Sequence, residues 1–392
     1  MSNVITDNNI RELISEYINK YVKQYINKKD KNFFNNNKRI EKWDVSNVTD
    51  MSYLFSNVSY DYMEYVNFDL SKWNTKNVIN MEYMFADCSN FNQPVNFDTS
   101  NVINMSFMFE NCSNFNQPVN FDTSNVMNMS FMFENCSNFN QPVNFDTSNV
   151  MNMSFMFKNC YNFNQPVNFN TKKVEDMSYM FDHCISFNQP VNFDTRNVES
   201  MDSMFAGCSS FNQNINFNTK KVTNMQYMFS GCIQFNSVVN VNTKNVINMS
   251  DMFSECYQFN KPVVFNTKNV KYMERMFEYC KNFNQPVLFD TKNVENMKAM
   301  FHECSEFNQS VNFNTKNVTN MSWMFYGCEK FNQPINFNTI YVTNMSYMFY
   351  KCKNFKQSVK FDKKNVKYML NIFDESYSEN KSDSENKSNR FD

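Results

Sequence analysis

The chain has 392 residues, and its 37 basic and 39 acidic side chains leave a net charge of −2 at pH 7. Only two histidines and three glycines are present, which argues against a histidine-based metal centre and a glycine-rich phosphate loop. No run of about 18 apolar residues could span a membrane. The first 30 residues also lack the apolar core of a secretory signal.

The first predicted element is a helix from residue 7 to about residue 29. Apolar residues recur with a helical period from Ile10 to Tyr25, and Thr6 or Asp7 stands where a helix cap belongs. We interpret this helix as a cap over the open end of a repeat array, since such arrays need a polar-faced cap. A dimerisation helix or a helix on a membrane surface is the alternative. The helix and its linker form the first predicted segment, residues 1–40.

A second segment, residues 41–373, repeats itself every 24 residues. Each of the twelve cysteines lies 24 residues after the one before, from Cys88 to Cys352, and each proline follows a cysteine by six residues. Such self-similarity is typical of a solenoid, in which each coil buries its apolar face against its neighbours. The first coil, between Trp43 and Trp73, carries an insertion that we expect to form a loop.

Each repeat combines two apolar spacings. The apolar residues between Met81 and Cys88 are spaced as on one face of a two-turn helix, and Asn80 stands at its N-cap. Val95 and Phe97 alternate as in a short strand. We therefore predict an α/β leucine-rich-repeat-like solenoid of about 13 coils, each with one short strand and one short helix. Its strands would form a parallel sheet on one face.

The apolar positions of successive repeats form columns that we assign to the core. Cysteines at equivalent positions of adjacent coils form a column rather than pairs, so we interpret them as reduced thiols and not as disulfides or metal ligands. The two histidines, His183 and His302, are assigned to the surface. The predicted core ladder includes Met81, Met105, Met129, Phe85, Phe109, Phe133, Cys88, Cys112, Cys136 and Cys160.

One column consists of cations at the same turn position of seven consecutive coils. In water, neighbouring charges about 5 Å apart repel by roughly 0.8 kcal/mol, so these side chains must be solvated, splayed or neutralised by a partner. A polyanion would fit such a stripe, and ordinary solvated lysines in a polar turn are the alternative. This lysine stripe consists of Lys172, Arg196, Lys220, Lys244, Lys268, Lys292 and Lys316.

The repeat resembles a known family. The segment Asn101–Gln117, NVINMSFMFENCSNFNQ, is similar to the repeat NVTNMSxMFxxCxxFNQ of the DUF285 branch of the BspA-type leucine-rich-repeat family. The residues after Trp43 and Trp73 are similar to its WDTSNVTNM start. Members are described as surface proteins of bacteria and mollicutes, with relatives in giant DNA viruses. The resemblance implies a curved α/β solenoid and a binding role.

These observations favour a non-enzymatic repeat scaffold that binds another protein through an extended solenoid surface. The alternative is a surface or virion adhesin that recognises host glycans or other polyanions. No enzyme and no cofactor are expected, because no nucleophile, base and orienting residue recur together in one coil alone. A specific partner would bind the predicted helix side, where the coils vary most, or the insertion.

The sequence indicates no oligomeric state. Without a readable signal peptide or membrane span, we expect a cytoplasmic location, inside a host cell if the protein is viral, or a place in a virion. The polar and charged segment 374–392 is predicted to be disordered.

Overall fold

A computed structural model of the chain describes residues 4–28, 40–56, 60–63 and 65–373. The chain divides into two compact units, Met1–Asp194 and Thr195–Asp392, here called unit 1 and unit 2. Unit 1 contains the helix α1 (Ile10–Lys28), a 3-10 helix (Ile40–Lys42) and the short helix α2 (Tyr60–Met63). Unit 2 contains the strands β1 (Ile215–Phe217) and β2 (Val239–Val241). The predicted disordered segment 374–392 and linker residues 29–39 lie outside the described residues.

Helix α1 packs against the first coil of unit 1. Its apolar stripe, with Ile10, Ile14 and Ile18, is fully buried. Arg11 Nη2 lies 2.9 Å from Asp50 Oδ2, and the Arg11 Nε donates to a backbone carbonyl of the same coil. Asp7 accepts hydrogen bonds from the backbone N–H and the hydroxyl of Thr49, each at 2.7 Å. The helix thus covers apolar surface that the first coil would otherwise expose to water.

The predicted two-turn helix of each repeat does not form, and the segment Met81–Cys88 and its equivalents, here called the turn segments, are chains of tight turns. Alternate N–H groups donate to the next coil, such as that of Met81 to Asn104 O at 3.0 Å and that of Phe85 to Met108 O at 2.9 Å. The N–H groups between them close turns to carbonyls three residues back. An α-helix would bond these N–H groups to carbonyls of its own segment. Because alternate N–H groups bond to the next coil instead, the segment cannot be a helix.

Positive φ angles recur in every turn segment. Tyr83 has a φ of 55° and Asp87 a φ of 65°, each at the third position of a tight turn, as type II turns require. Asn80, predicted as a helix cap, accepts the backbone N–H of Glu82 on its Oδ1 at 3.1 Å. The asparagine therefore makes the expected type of side-chain bond, but it opens a turn and not a helix.

The predicted strand of each repeat forms a ladder only where proline is absent. β1 and β2 pair in parallel, with Ile215 opposite Val239. The residues before these strands are Asn214 and Val238, whereas most other coils have proline there. In unit 1 the equivalent position forms a single bridge, between Val119 and Val143. Proline has no N–H to donate and a fixed φ, which explains why most of the described coils keep this segment extended but unpaired.

The core of each unit is built from columns of equivalent side chains. In unit 1 the rings of Phe85, Phe109 and Phe133 stack with centroids 5.6 and 5.7 Å apart, and all three are fully buried. Cys112 Sγ lies 3.1 Å from Phe85 O, so the thiol also faces a backbone carbonyl of the coil before it. All twelve cysteines are among the described residues, are buried and form no disulfide.

Polar columns bind the backbone of neighbouring coils. Asn92 Oδ1 accepts the backbone N–H of Asn116 at 3.0 Å and the side-chain amide of Gln117 at 3.1 Å. Thr99 Oγ1 donates to Asp122 O at 2.9 Å. These side-chain hydrogen bonds pair backbone N–H and C=O groups that are not paired within a regular β-sheet. Each unit is therefore a repeat solenoid in which coils are joined by backbone bonds, side-chain bonds and stacked rings.

Candidate interaction surface

The lysine stripe divides between the two units. Lys172 lies in unit 1, and Arg196, Lys220, Lys244, Lys268, Lys292 and Lys316 lie in unit 2. All are exposed except the half-buried Lys292. Their backbone N–H groups are used locally, as where Lys244 N donates to Asn242 Oδ1 at 3.1 Å. The turn therefore constrains the main chain at these positions and leaves the cationic side chains on the surface.

The charge of the stripe in unit 2 is only partly balanced nearby. Lys292 Nζ lies 3.8 Å from Asp290 Oδ2, but the equivalent turn position in the preceding coils is asparagine, as in Asn242 and Asn266. In the three coils before the stripe, serine takes the place of the cation, and Ser100 donates to Asp98. The structure thus brings six cations into one column within unit 2.

The predicted core ladder lies in the core of unit 1. Met81, Met105 and Met129, like the phenylalanines and cysteines of the ladder, have no exposed surface. Burial raises the pKa of Cys88, Cys112, Cys136 and Cys160 well above that of an ordinary thiol. Deprotonated thiolate is the reactive form, so these thiols are unreactive in the folded chain.

The surface assignment of the two histidines is half right. The His183 side chain is 58% exposed, and its Nδ1 lies 2.7 Å from Asp182 Oδ1, a hydrogen bond that raises the pKa of His183. The His302 side chain is only 12% exposed, and its Nδ1 lies 2.8 Å from Glu278 Oε1. Rings of Tyr279, Trp323 and Tyr326 surround it. This cluster could not be predicted from the spacing of apolar residues, because its side chains come from different coils.

Unit 1 carries a row of stacked aromatic rings that was missed from the sequence. Neighbouring ring centroids are 4.1 to 4.6 Å apart. Each residue follows a core methionine by two positions and has a φ between 55° and 60°. Tyr53 is exposed and the other five are half-buried. This aromatic ladder consists of Tyr53, Tyr83, Phe107, Phe131, Phe155 and Tyr179.

A signal for the aromatic ladder was present in the repeat itself. Aligning the coils on their cysteines brings one aromatic residue to the same position in five consecutive repeats, from Tyr83 to Tyr179. A helix would have placed these side chains on its polar face, without contact from coil to coil. The stacking follows from the turn segments, because their backbone bonds hold equivalent residues directly above one another.

Carboxylates accompany the aromatic ladder. Glu82 precedes Tyr83, and Glu110 and Glu134 close the turns that begin at Phe107 and Phe131. Burial, together with the charges of Glu134 and Asp87, raises the pKa of Glu110 to about 7. Among the described residues, no hydrogen-bond or ion-pair partner of the Glu110 carboxylate is found. The ladder is therefore bordered by negative charge that the chain compensates incompletely.

The equivalent column of unit 2 has mixed chemistry. It consists of Ser203, Tyr227, Asp251, Arg275, Ala299, Trp323 and Tyr347, all with positive φ. Several acidic groups here have internal partners, and Glu278 contacts both Arg275 and His302. Burial is the main reason that the pKa of Asp251 rises to about 6. The same backbone thus carries an uninterrupted aromatic row in unit 1 but not in unit 2.

A second exposed column of unit 1 lines an open groove of about 940 Å³. Ile79, Ile103, Met127 and Met151 are 40 to 47% exposed and belong to this groove together with a column of asparagines. The equivalent residues of unit 2 include Thr223, Lys271 and Glu295. Apolar side chains are therefore exposed in unit 1 at a position that is mostly polar in unit 2.

Comparison with known proteins assigns the chain to a family. The family model described as "Mycoplasma protein of unknown function, DUF285" matches residues 22–143, 118–217, 143–239, 214–288 and 287–386. The chain belongs to the DUF285 family. The five matches together extend over the whole repeat region, and the leucine-rich-repeat resemblance is compatible with them.

No curated protein matches this DUF285 chain. A solved structure described as "Crystal structure of TLR13-ssRNA13 complex" is similar to it, with 11% sequence identity and a TM-score of 0.26. That similarity covers 86% of the DUF285 chain and 55% of the other chain, so the DUF285 chain spans about half the length of the protein it matches.

The described part of this DUF285 chain offers no membrane-spanning helix, since none of its helices combines the required length and apolar character. In the same residues, no group of three or more His, Cys, Asp or Glu side chains is arranged to hold a metal ion.

Proposed function

We propose that this chain is a non-enzymatic scaffold that binds another protein through the turn segments of unit 1. The observation that supports this function is the aromatic ladder, a row of six stacked rings on the surface of the unit. Aromatic residues are enriched in the energetically important parts of protein interfaces. Because the rings are held rigidly by their neighbours, little side-chain entropy would be lost on binding.

The backbone does not require aromatic residues at this position. A positive φ costs a non-glycine residue about 1 to 2 kcal/mol, and unit 2 has Ser203, Asp251 and Ala299 there with φ between 54° and 57°. Phe107 and Phe131 adopt the same unfavourable conformation. Since all described coils have a positive φ at this position, the backbone does not explain the aromatic residues of unit 1, and their uninterrupted row favours a role in recognition.

The non-enzymatic part of the proposal rests on the cysteines. They are the thiol nucleophiles of the repeat, and they are buried. A buried thiol with a raised pKa neither reaches a substrate nor forms the thiolate that attacks it. The scaffold is therefore proposed to act through its surface.

Affinity capture from a lysate of the source or host cell tests the scaffold. The full chain, a Phe107→Ser/Phe131→Ser variant and a Lys220→Glu/Lys244→Glu/Lys268→Glu variant serve as three baits. We expect a protein that is captured by the full chain and by the charge-reversed variant but lost from the phenylalanine variant. Serine is chosen because Ser203 occupies the equivalent position in unit 2 with a φ of 54°. Capture that is unaffected by the serine substitutions would contradict the proposal.

A second candidate function is the binding of a polyanion by the lysine stripe. The observation that favours it is the column of six cations in unit 2, next to which Asp290 carries one of the few acidic charges. Binding of heparin to the full chain should weaken steeply with salt, because bound counterions are released. The charge-reversed variant should lose this binding, and equal retention of both proteins on heparin would dismiss the stripe.

A further inference from the structure

Lys158 shows how unit 1 holds a cation. Its Nζ lies 5.1 Å from the ring centroid of Phe155 and 5.7 Å from that of Tyr179. The same atom lies 3.4 Å from Glu134 Oε1, and the Glu134 carboxylate is nearly buried. The ammonium group therefore lies beside two neighbouring rings of the aromatic ladder and next to a carboxylate of the preceding coil. This combination of an aromatic ring and an anion is favourable for a cation.

In the two preceding coils, glutamate stands at the position of this lysine, as Glu110 and Glu134. Lys158 closes the turn that begins at Phe155, and Glu110 closes the equivalent turn that begins at Phe107, two coils earlier. At Glu110 the chain thus provides rings and a carboxylate but no cation of its own. The Glu110 carboxylate has no hydrogen-bond or ion-pair partner among the described residues.

The electrostatic environment of this place is negative. Asp87 and Glu134 are the charged groups that raise the pKa of Glu110, together with burial. Glu82 Oε1 accepts a hydrogen bond from the hydroxyl of Ser106, in the next coil, at 3.3 Å. Unit 1 has 14 basic and 21 acidic residues, a net charge of −7, whereas unit 2 has 23 basic and 18 acidic residues, a net charge of +5. A cationic partner would relieve repulsion that these carboxylates exert on one another.

We propose that the aromatic ladder around Phe107 and Phe131, together with Glu82 and Glu110, binds lysine or arginine side chains of a basic segment of a partner protein. The proposal rests on the proposed scaffold function and adds the class of partner. A cationic side chain of that segment lies beside the rings of Phe107 and Phe131 and against the carboxylate of Glu110, which stands in this coil at the position of Lys158. An acidic or nucleic-acid partner is disfavoured here, because its charge has the same sign as that of unit 1.

The test measures fluorescence anisotropy of a labelled peptide of alternating lysine and serine, titrated with the full chain. The same peptide with every lysine acetylated is the neutral control. The first variant is Glu82→Gln/Glu110→Gln, since Gln226 shows that unit 2 accommodates glutamine at the position of Glu82. The second variant is Phe107→Ser/Phe131→Ser, which removes two rings and leaves the carboxylates in place.

A matched variant, Asp98→Asn/Asp122→Asn, also replaces two carboxylates of unit 1, and all titrations are made at about pH 8.5, where Glu110 is ionised. Asp98 Oδ1 accepts the N–H of Ser100 at 3.1 Å, and Asn242 Oδ1 accepts the N–H of Lys244 at the same distance. Asparagine therefore preserves the turn. Comparing this variant with Glu82→Gln/Glu110→Gln separates a local site from the effect of net charge.

We expect the lysine peptide to bind the full chain and the matched variant equally, and to bind the other two variants about tenfold more weakly. The acetylated peptide should not bind. Equal weakening in the matched variant would overturn the proposal, because net charge would then explain the attraction. Full binding by the acetylated peptide, or unchanged binding by both ladder variants, would overturn it as well.

Two further outcomes separate this proposal from the scaffold function. If no lysine peptide binds but a captured protein is lost from the Phe107→Ser/Phe131→Ser bait, the scaffold stands and the basic partner is wrong. If sedimentation shows that the chain associates with itself and that Glu82→Gln/Glu110→Gln dissociates it, the occupant is a second copy, and the proposal of a partner protein is wrong.

Discussion

Unit 1 and unit 2 share one coil backbone but present different surfaces on it. The turn segments of both units make the same alternating bonds to the next coil and have positive φ at the same positions. On this shared frame, unit 1 has stacked rings from Tyr53 to Tyr179, whereas unit 2 has residues as different as Ser203, Arg275 and Trp323. The fold therefore constrains the main chain at this position and leaves the side chain free to differ between coils.

The units also differ in how they balance charge. Unit 2 pairs some of its acidic groups with its own side chains, since Glu278 lies 3.7 Å from Arg275 Nε and 2.8 Å from His302 Nδ1. It also places Lys351 Nζ 5.1 Å from the ring centroid of Tyr326. In unit 1, Lys158 is such a cation, and Glu110 in the same column has none among the described residues. This difference supports the proposal that unit 1 binds a basic partner.

The largest expected effect tests whether the two cores are equivalent. Phe133→Ala in unit 1 and Phe229→Ala in unit 2 each remove a fully buried ring from a stack. Each should lower the free energy of unfolding by about 3 to 5 kcal/mol, because a cavity replaces the ring. Urea titrations followed by circular dichroism measure this loss. If the loss of stability in one unit exceeds the loss in the other by several kcal/mol, the two cores are not equivalent.

The next effect concerns the aromatic ladder as a structural element. Phe107→Ser removes stacking on Tyr83 and Phe131, whose ring centroids lie 4.1 and 4.3 Å away. The free energy of unfolding should fall by about 1 to 3 kcal/mol, since each aromatic pair contributes about 0.5 to 1.5 kcal/mol. The matched change in unit 2, Tyr227→Ser, removes a ring between Ser203 and Asp251 and should cost less. An equal cost at both positions would argue that stacking stabilises neither unit.

Glu110 predicts a dependence of the stability of unit 1 on pH. Its pKa is raised from 4.5 to about 7, so the folded chain binds this proton more tightly than the unfolded chain. The contribution of Glu110 to stability therefore decreases as the pH rises through this interval and is lowest above pH 7. Glu110→Gln should change little at pH 5 and should raise the free energy of unfolding by about 1 kcal/mol at pH 8, because solvent screens part of the repulsion.

Asp98 supplies a control of opposite sign for this measurement. Hydrogen bonds from the side chain and the backbone N–H of Ser100 lower the pKa of Asp98 below 3.8. Its contribution to stability is present above that value and is lost as the pH falls through the lowered pKa. Asp98→Asn should therefore leave the slope of stability between pH 5 and pH 8 unchanged. A loss of that slope in Asp98→Asn would contradict the assignment to Glu110.

The smallest effect concerns the lysine stripe. Lys220→Glu/Lys244→Glu/Lys268→Glu should change the free energy of unfolding by less than about 0.5 kcal/mol, because the three side chains are exposed. Thermal unfolding at low and high salt measures this difference. A large destabilisation at both salt concentrations would show that the lysines support the coil and are not free to serve a ligand.

Much of the solenoid could be predicted from the spacing of residues. The 24-residue period of the cysteines predicted the stacking of coils, and the apolar residues of the Met81 column are in the core as expected. The helix prediction was wrong because apolar residues three and four positions apart suit a chain of tight turns as well as a helix. The strand prediction held best at Ile215 and Val239, where no proline precedes the strand.

The candidate site was less predictable than the fold. The lysine stripe could be predicted as a column of like residues. The aromatic ladder and Glu110 were recognised as a candidate site only from the distances between the rings and the burial of the carboxylate. Sequence position told which residues share a column. It did not tell which side chains of different columns meet, such as Lys158 and Glu134.

The repeat, the family and the identity of the buried columns could be predicted, because they follow from residue types at a fixed period. The conformation of the turn segments could not, because it depends on contacts between coils. The destination of a backbone N–H, such as that of Tyr83 bonded to Ser106 O one coil later, depends on the presence of a neighbouring coil. That bond turns a predicted helix into a turn and brings the rings of unit 1 into one exposed row.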